Sequence, residues 1–326
     1  MVSNSFERYL QPGVALRKVY EVLEPNLIYT DYVEILPPEP QESFIYGYQS
    51  TNVASDAKIQ YADLGGTGAP LPEVDFTLPS TASGQVSSKG FQFRITHSLK
   101  RKMERADNFG MYKINDLLGK AAVKCAEIID TAIFTAMSSG ATTSFSTFSP
   151  AAVWSADGAD PITDLEALAQ DMDREGYPFR QSDVIVNKAG FYELKNYLTF
   201  IDGRQFDPAR VVGKANQKDM IYVGQADTIV HKDLNNMTDG YIMAVDQANK
   251  GAEMHVFADP EFSMPAARIK YKTIENGKPV SKSMPNLGLN MDSYVEQDTK
   301  DTVVQLWFEN SCVVTQPYGI SFGSGI

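Results

Sequence analysis

One helical signal dominates the chain. Ile114, Leu117, Leu118, Ala121, Ala122, Cys125, Ile128, Ile129, Ala132, Ile133 and Ala136 recur at i, i+3, i+4 and i+7. Asn115, Asp116, Lys120, Lys124, Glu127 and Asp130 fall on the opposite face. The pattern predicts a helix from near Met103 to near Ser139–Gly140, about 50 Å long at roughly 1.5 Å per residue. Gly110 and Gly119 weaken it locally and mark where it can bend. A rod of this length with a single apolar stripe serves as the backbone of a flat or elongated domain. It does not suit a bilayer: the most apolar run, Ala121 to Met137, is interrupted by Lys124, Glu127 and Asp130.

What precedes the rod is less compact. Residues 1 to about 40 read as an extended arm with one short helical piece, Val14 to Leu23, followed by Pro25, Pro37, Pro38 and Pro40. Such a segment needs something to lie against. Ser43 to Tyr48 alternates with period two, as do Val74, Phe76 and Leu78 and then Phe91, Phe93 and Ile95. With Gly65 to Pro70 as a loop tip, residues 44–98 are expected to form a long β-hairpin with a mobile tip. Two strands alone are marginal in water, so the hairpin is expected to pack on another element or another subunit. The Gly-rich tip is not a phosphate-binding loop, because no Lys-Ser/Thr and no helix opening follow it.

After the rod the signals are mixed. Asp160 as N-cap, Pro161 at the first helical position and Asp164 and Glu166 in the first turns open a second helix. Ile162, Leu165, Leu168, Ala169 and Met172 form its apolar stripe, and Gly176 is the expected stop. A short strand at Asp183–Asn187 and a helix at Lys188–Leu198 follow. Strands are expected at 228–231, 241–245, 253–258, 267–275 and 302–315, the last broken by a turn at Asn310-Ser311. The order is hairpin, long helix, mixed segment and closing strands, which is α+β.

Chemistry is sparse in the sequence. His97, His231 and His255 are the only histidines, and His231-Lys232-Asp233 does not read as a catalytic or ligand pair, because adjacent residues in a strand point to opposite faces. No G-x-S-x-G, HExxH or G-x-G-x-x-G pattern occurs. Carboxylates such as Asp171, Asp173 and Glu166 read as a solvated helix face. Cys125 fits a buried free thiol, and with Cys312 as the only other cysteine a disulfide scaffold is not expected. No catalytic residue, cofactor or metal is therefore expected. The N-terminal MVSNSFERYLQPG lacks a basic stretch followed by an apolar one, so a soluble protein made in a cytoplasm is expected. With 29 Lys and Arg against 41 Asp and Glu the net charge is −12, which argues against a surface that grips nucleic acid throughout.

In this order of elements the chain resembles the major capsid proteins of tailed phages and related viruses, with the Hong Kong 97-like fold. The local match is carried by Trp154, by Asp160-Pro161-Ile162-Thr163-Asp164-Leu165, by Gly176-Tyr177-Pro178 and by Val184-Ile185-Val186-Asn187-Lys188-Ala189. The ending Val313-Val314-Thr315-Gln316-Pro317-Tyr318-Gly319-Ile320 resembles the family's final strand and Pro-aromatic close. By this resemblance residues 1–43 are the N-terminal arm and 44–98 the extended loop. Residues 99–165 with 267–326 are the peripheral domain, and 166–266 the axial domain.

The resemblance implies a non-enzymatic subunit of pentamers and hexamers in an icosahedral shell around double-stranded DNA, located in the virion after assembly in the host cytoplasm. It implies copies of itself as the main partner, with a separate scaffolding protein, a portal, decoration proteins and packaged DNA held only by weak, non-specific proximity. An acidic inner wall would keep that DNA from sticking. Expected contact residues between subunits are Phe6, Tyr9 and Leu10 in the arm, Asp56, Lys58 and Tyr61 near the loop tip, and Phe76, Phe91 and Phe93 at the loop base. In shells that cross-link through a Lys–Asn isopeptide bond, Lys58 and Asn310 with Glu309 nearby would take those roles. The rival readings are an encapsulin-type nanocompartment shell, whose chains are shorter and begin with a helix, a soluble α+β enzyme, and a tail-tube protein, which should lack the long helix.

Overall fold

The computed structural model describes residues 10–48, 80–105, 109–144, 147–148, 150, 152–156, 158–173, 179–201, 209–215, 218–223, 228–232, 240–257, 268–275 and 278–326. The helices are α1 (Pro12–Leu23), α2 (His97–Arg105), α3 (Phe109–Ser144), α4 (Pro161–Met172) and α5 (Lys188–Ile201). The strands of the first half are β1 (Val33–Ile35), β2 (Ser43–Tyr48), β3 (Ser80–Gln85), β4 (Ser87–Ile95), β5 (Thr147–Phe148) and β6 (Asp183–Val186). Then come β7 (Ala209–Ala215), β8 (Lys218–Val223), β9 (Thr228–Lys232), β10 (Tyr241–Val245) and β11 (Ala252–Val256). The last are β12 (Arg268–Glu275), β13 (Lys278–Pro285), β14 (Leu289–Val295), β15 (Thr302–Val314) and β16 (Ile320–Ser324). The chain divides into two compact units: Met1–Phe44, Gly84–Thr135 and Glu253–Val313 form one, and Ile45–Ser83, Ala136–Ala252 and Val314–Ile326 the other.

The first unit is built on a five-stranded sheet in the order β1-β11-β15-β14, with β4 also pairing β15. β15 runs unbroken for 13 residues, although a turn is expected at Asn310-Ser311. Asn310 can stay in the strand because its polar groups are matched there. It is 7% exposed, its Nδ2 donates to the Leu287 carbonyl at 2.9 Å, and its own carbonyl accepts from Ser87 Oγ at 3.1 Å. A second difference concerns β4. Phe91, Phe93 and Ile95 stand opposite Leu306, Val304 and Thr302 of β15, whereas β2 pairs with β3. The loop tip expected at Gly65–Pro70 and the strand expected at Val74–Leu78 lie outside the described residues.

α3 buries the predicted stripe, with Ile114, Leu118, Ala121, Ala122, Cys125, Ile129 and Ile133 all buried. It also buries Asp130, which the periodicity places on the solvated face; the side chain is 0% exposed. The reason is the arm. Asp130 accepts hydrogen bonds from the Ile28 amide, at 3.2 and 3.0 Å to its two oxygens, and from the Tyr29 amide at 3.3 Å. These amides lead into the 3-10 turn Tyr29–Tyr32, which no side chain caps from within. A carboxyl from a neighbouring helix supplies what the turn lacks. The Tyr29 and Phe134 rings meet beside it at 5.6 Å.

The arm is therefore not free to lie elsewhere. Leu10, Ala15, Leu16, Val19, Tyr20, Leu23, Leu27, Ile28, Tyr29, Tyr32 and Val33 are all buried in their own chain. α1 packs on β12 and β14, and Tyr20 Oη donates to Asn286 Oδ1 at 3.1 Å while accepting from the Leu287 amide at 3.2 Å. Burial pushes the Tyr20 hydroxyl well above its ordinary pKa, so it stays a donor. Asn286 Oδ1 also accepts from the Gly288 amide at 3.0 Å. Gly288 has φ +72 and its missing Cβ would stand 2.4 Å from the Glu309 carbonyl, so only glycine fits.

The second unit holds a seven-stranded sheet in the order β5-β16-β10-β6-β9-β8-β7. β10 is antiparallel to both β6 and β16, and β6 is parallel to β9. α4 begins as its sequence predicts, with Pro161 in the first turn and the Asp160 side chain accepting from the Thr163 amide. Trp154 donates through Nε1 to the buried Asp164 at 2.8 Å. Trp154, Leu165, Leu168 and Met172 form one core with Val184, Val186, Phe191, Leu194, Val230 and Ile242.

Removing the Asp130 carboxyl leaves two amides without that acceptor at a site water does not reach. Asp130→Ala is expected to lower stability by about 2–4 kcal/mol, and Asp130→Asn by less because one oxygen remains. Urea unfolding of the two variants measures this. A loss below about 0.5 kcal/mol for the alanine variant would contradict the assignment.

Candidate interaction surfaces

The described part of the expected extended loop begins with one anchored ring. Phe44 is 6% exposed while its neighbour Ile45 is 78% exposed. The Phe44 ring stacks on His255 with centroids 3.7 Å apart and planes 10° from parallel. Gly84 lies against the same ring, where a Cβ would come within 2.4 Å of it. The Val86 amide donates to the Glu42 carbonyl at 2.8 Å, closing the same root. Beyond the root the strands are largely uncovered: β2 has Ile45, Gly47 and Tyr48 exposed, and β3 alternates between half-buried and exposed positions. An exposed strand pair fixed at one end is suited to pairing or packing with another chain.

The predicted contact residues fall into separate places. Phe6, Tyr9, Asp56, Lys58, Tyr61 and Phe76 lie outside the described residues. Leu10 is 4% exposed, covered by its own chain. Phe91 and Phe93 lie half-buried on one face of β4. Residues not singled out from the sequence are Ile45 and Tyr48 on β2, and Tyr294 and Val295, which are 45% and 51% exposed. Neighbours along a strand point to opposite faces, so β14 ends with neither face covered. Periodicity alone cannot mark these residues, because an apolar side chain in an alternating strand reads as core.

Of the residues considered for cross-linking, Asn310 is engaged inside its own subunit, as described above. Glu309 accepts from Asn290 Nδ2 at 2.8 Å. Both cysteines are free thiols; burial pushes Cys125 well up and Cys312 up to about 12, which makes both poor nucleophiles at neutral pH. Among the described residues no three His, Cys, Asp or Glu side chains gather into a metal-holding group, and no helix is long and apolar enough to cross a membrane.

No family model and no curated protein matches the chain. Solved structures do. A virus-like particle from Pyrococcus furiosus is similar over 94% of this chain and 96% of its own, with a TM-score of 0.53 at 9% identity. The capsid of the cyanophage P-SCSP1u is similar over 91% and 88%, with a TM-score of 0.55 at 13% identity. The holo-SrpI encapsulin complex from Synechococcus elongatus is similar over 91% and 86%, with a TM-score of 0.55 at 9% identity. The chain has the α+β Hong Kong 97-like fold, and the structures it resembles are phage capsid and related shell proteins.

The Phe44 anchor is expected to respond to pH. Burial holds the His255 imidazole below its ordinary pKa, with Glu39 pulling partly the other way. The fold therefore accommodates neutral His255. As pH falls through about 6.5 the unfolded chain takes up the proton first, so stability is lost on acidification and regained as pH rises. The urea midpoint should climb as pH rises toward and through about 6.5, and His255→Phe should flatten that climb while keeping the ring stack. An unchanged slope in the variant would show that His255 is not the titrating group.

Proposed function

We propose that this chain is a structural shell subunit, a major capsid protein that assembles with copies of itself into a closed icosahedral container around double-stranded DNA. The observation that supports this best is the fold likeness, which runs over nine-tenths of the chain and matches shell proteins from different sources. Fold alone does not carry function. What adds to it is the surface: a strand pair held at its root and otherwise exposed, and a β14 end open on both faces, are features that a neighbouring copy would complete.

In this reading residues 1–43 are the N-terminal arm, 44–98 the extended loop, 99–165 with 267–326 the peripheral domain, and 166–266 the axial domain. Axial domains converge around five-fold and six-fold axes as pentamers and hexamers. Extended loops lie on neighbours, with Asp56, Lys58 and Tyr61 near the tip and Phe76, Phe91 and Phe93 at the base as contact candidates. Phe6 and Tyr9 are the arm candidates, since Leu10 is used internally. One heterologous contact repeated around an axis closes a ring, and several modest contacts per subunit combine in the finished lattice. A separate scaffolding protein, a portal and decoration proteins are the further partners. The subunit acts by geometry and not by catalysis, and its place is the virion after assembly in the host cytoplasm.

An encapsulin-type compartment is the second reading, because the encapsulin complex matches with the same TM-score as the cyanophage capsid. The chain's net charge of −12 is compatible with either, as a wall that does not hold DNA tightly.

Electron microscopy of the purified protein tests the proposal. Closed shells, or pentamers and hexamers, are the expected result, and a monodisperse monomer under all assembly conditions would contradict it. Shells that package protein cargo in place of DNA would favour the encapsulin reading. Deleting residues 54–70 should leave a folded subunit with normal circular dichroism but sharply reduced shell yield. Undiminished yield would remove the extended loop from the mechanism.

A further inference from the structure

On a chain of net charge −12, one groove is basic. It is a space of about 740 Å³ between α1 and the β12–β13 ribbon, and Arg17, Lys18, Lys270, Lys272 and Lys282 line it against a single carboxylate, Glu21. Glu21 is paired with Lys18 at 2.7 Å, and nearby Glu24 accepts a hydrogen bond from Tyr271. Both acids are thus already engaged. Lys270 and Lys272 are exposed on one face of β12, opposite Ser283 and Ser281 of β13. Val14, 40% exposed, adds an apolar surface in the same groove.

A complementary surface lies elsewhere on the same unit. The end of β14 carries Asp292 and the uncovered apolar pair Tyr294 and Val295, and the turn that follows to β15 carries Glu296, Asp298 and Asp301 against one cation, Lys300. Three of these acids have internal partners, Asp292 accepting through one oxygen from the Ser293 amide at 2.7 Å. Glu296 takes both terminal nitrogens of Arg94 at 2.9 and 3.2 Å, and Asp301 accepts from the His97 amide at 2.8 Å. Asp298 is exposed and Asp292 half-buried. The turn does not line the groove of its own chain.

We infer that the basic groove receives the β14–β15 end of a second copy, with Tyr294 against Val14 and with Asp292, on the same face as Tyr294, and Asp298 facing Lys270, Lys272 and Arg17. The inference rests on the shell-subunit reading and deepens it. Copies of a protein this acidic repel one another at long range, and a segregated basic groove meeting an acidic turn offsets that locally and fixes orientation. Groove and turn are different patches, so the contact is heterologous and propagates around a ring instead of closing a two-fold dimer.

Charge exchange tests it. Sedimentation would measure the protein concentration at which half of the material is assembled, with circular dichroism confirming that each variant is folded. K270E/K272E and D292K/D298K should each raise that concentration about tenfold or more, and the four-fold variant should return to within about threefold of the wild type. The milder pair K272E and D298K, alone and together, repeats the test should Asp292→Lys disturb the turn. Assembly unaffected by K270E/K272E would overturn the inference, and so would a four-fold variant no better than either double, since the groove would then face another acid. If the wild-type protein does not assemble at all, it is the shell reading that fails. If it assembles and charge exchange is silent, only this contact fails.

Discussion

Everything in the first unit depends on a carboxyl group placed where helix periodicity calls for solvent. Asp130 sits on the back of α3 and takes the amides of Ile28 and Tyr29. Without an acceptor there the arm would have to bury unpaired backbone donors along an apolar helix, at a cost of a few kcal/mol for each. With it, the 3-10 turn Tyr29–Tyr32 is held, and the buried run from Leu10 to Val33 follows. α1 is thereby set on β12 and β14, and its Tyr20 hydroxyl reaches Asn286 beside the left-handed Gly288. A local hydrogen-bonding need thus decides which part of the chain is spoken for inside the subunit and which part is left for partners.

That division changes what an assembly surface can be. The arm's buried apolar residues are not available to a neighbour, whereas the exposed Val14 is. Among the described residues, the surfaces left uncovered include β2 beyond Phe44, the end of β14 and the basic groove beside α1. The first is tethered by the Phe44 ring, which stacks on His255 and lies against Gly84.

Much of the fold was legible because strong local signals agreed with one another. The α3 stripe, the Asp160-Pro161 start of α4 and the alternation of β12 each report local geometry, and local geometry survived in the structure. The misreadings share one cause, which is distant partners. Asp130 looks solvated until residues 28 and 29 cover it. Asn310-Ser311 reads as a turn until β4 and the Leu287 carbonyl supply hydrogen bonds that keep Asn310 in β15. Phe91 and Phe93 read as one side of a hairpin until β15, more than two hundred positions later, takes them as an edge. β7, β8, β13, β14 and β16 were not anticipated; in β7 and β13 Gly, Lys or Ser interrupts the apolar alternation, and sheet pairing makes strands of them. The interaction surface was the least legible part, since an exposed Tyr294 and a buried Tyr271 look alike until the surroundings of each are known.

In this reading residues 10–36 belong to the subunit's own core, whereas β2 beyond Phe44 is completed by another copy. Hydrogen exchange, compared between unassembled subunits and assembled particles, tests it most directly. The amides of Ile28, Tyr29 and the α1 helix are expected to be protected already in the free subunit and to change little on assembly, while those of residues 45–48, held in the free subunit only by pairing with β3, gain protection in the particle. An arm that exchanges freely in the subunit and gains its protection on assembly would contradict it.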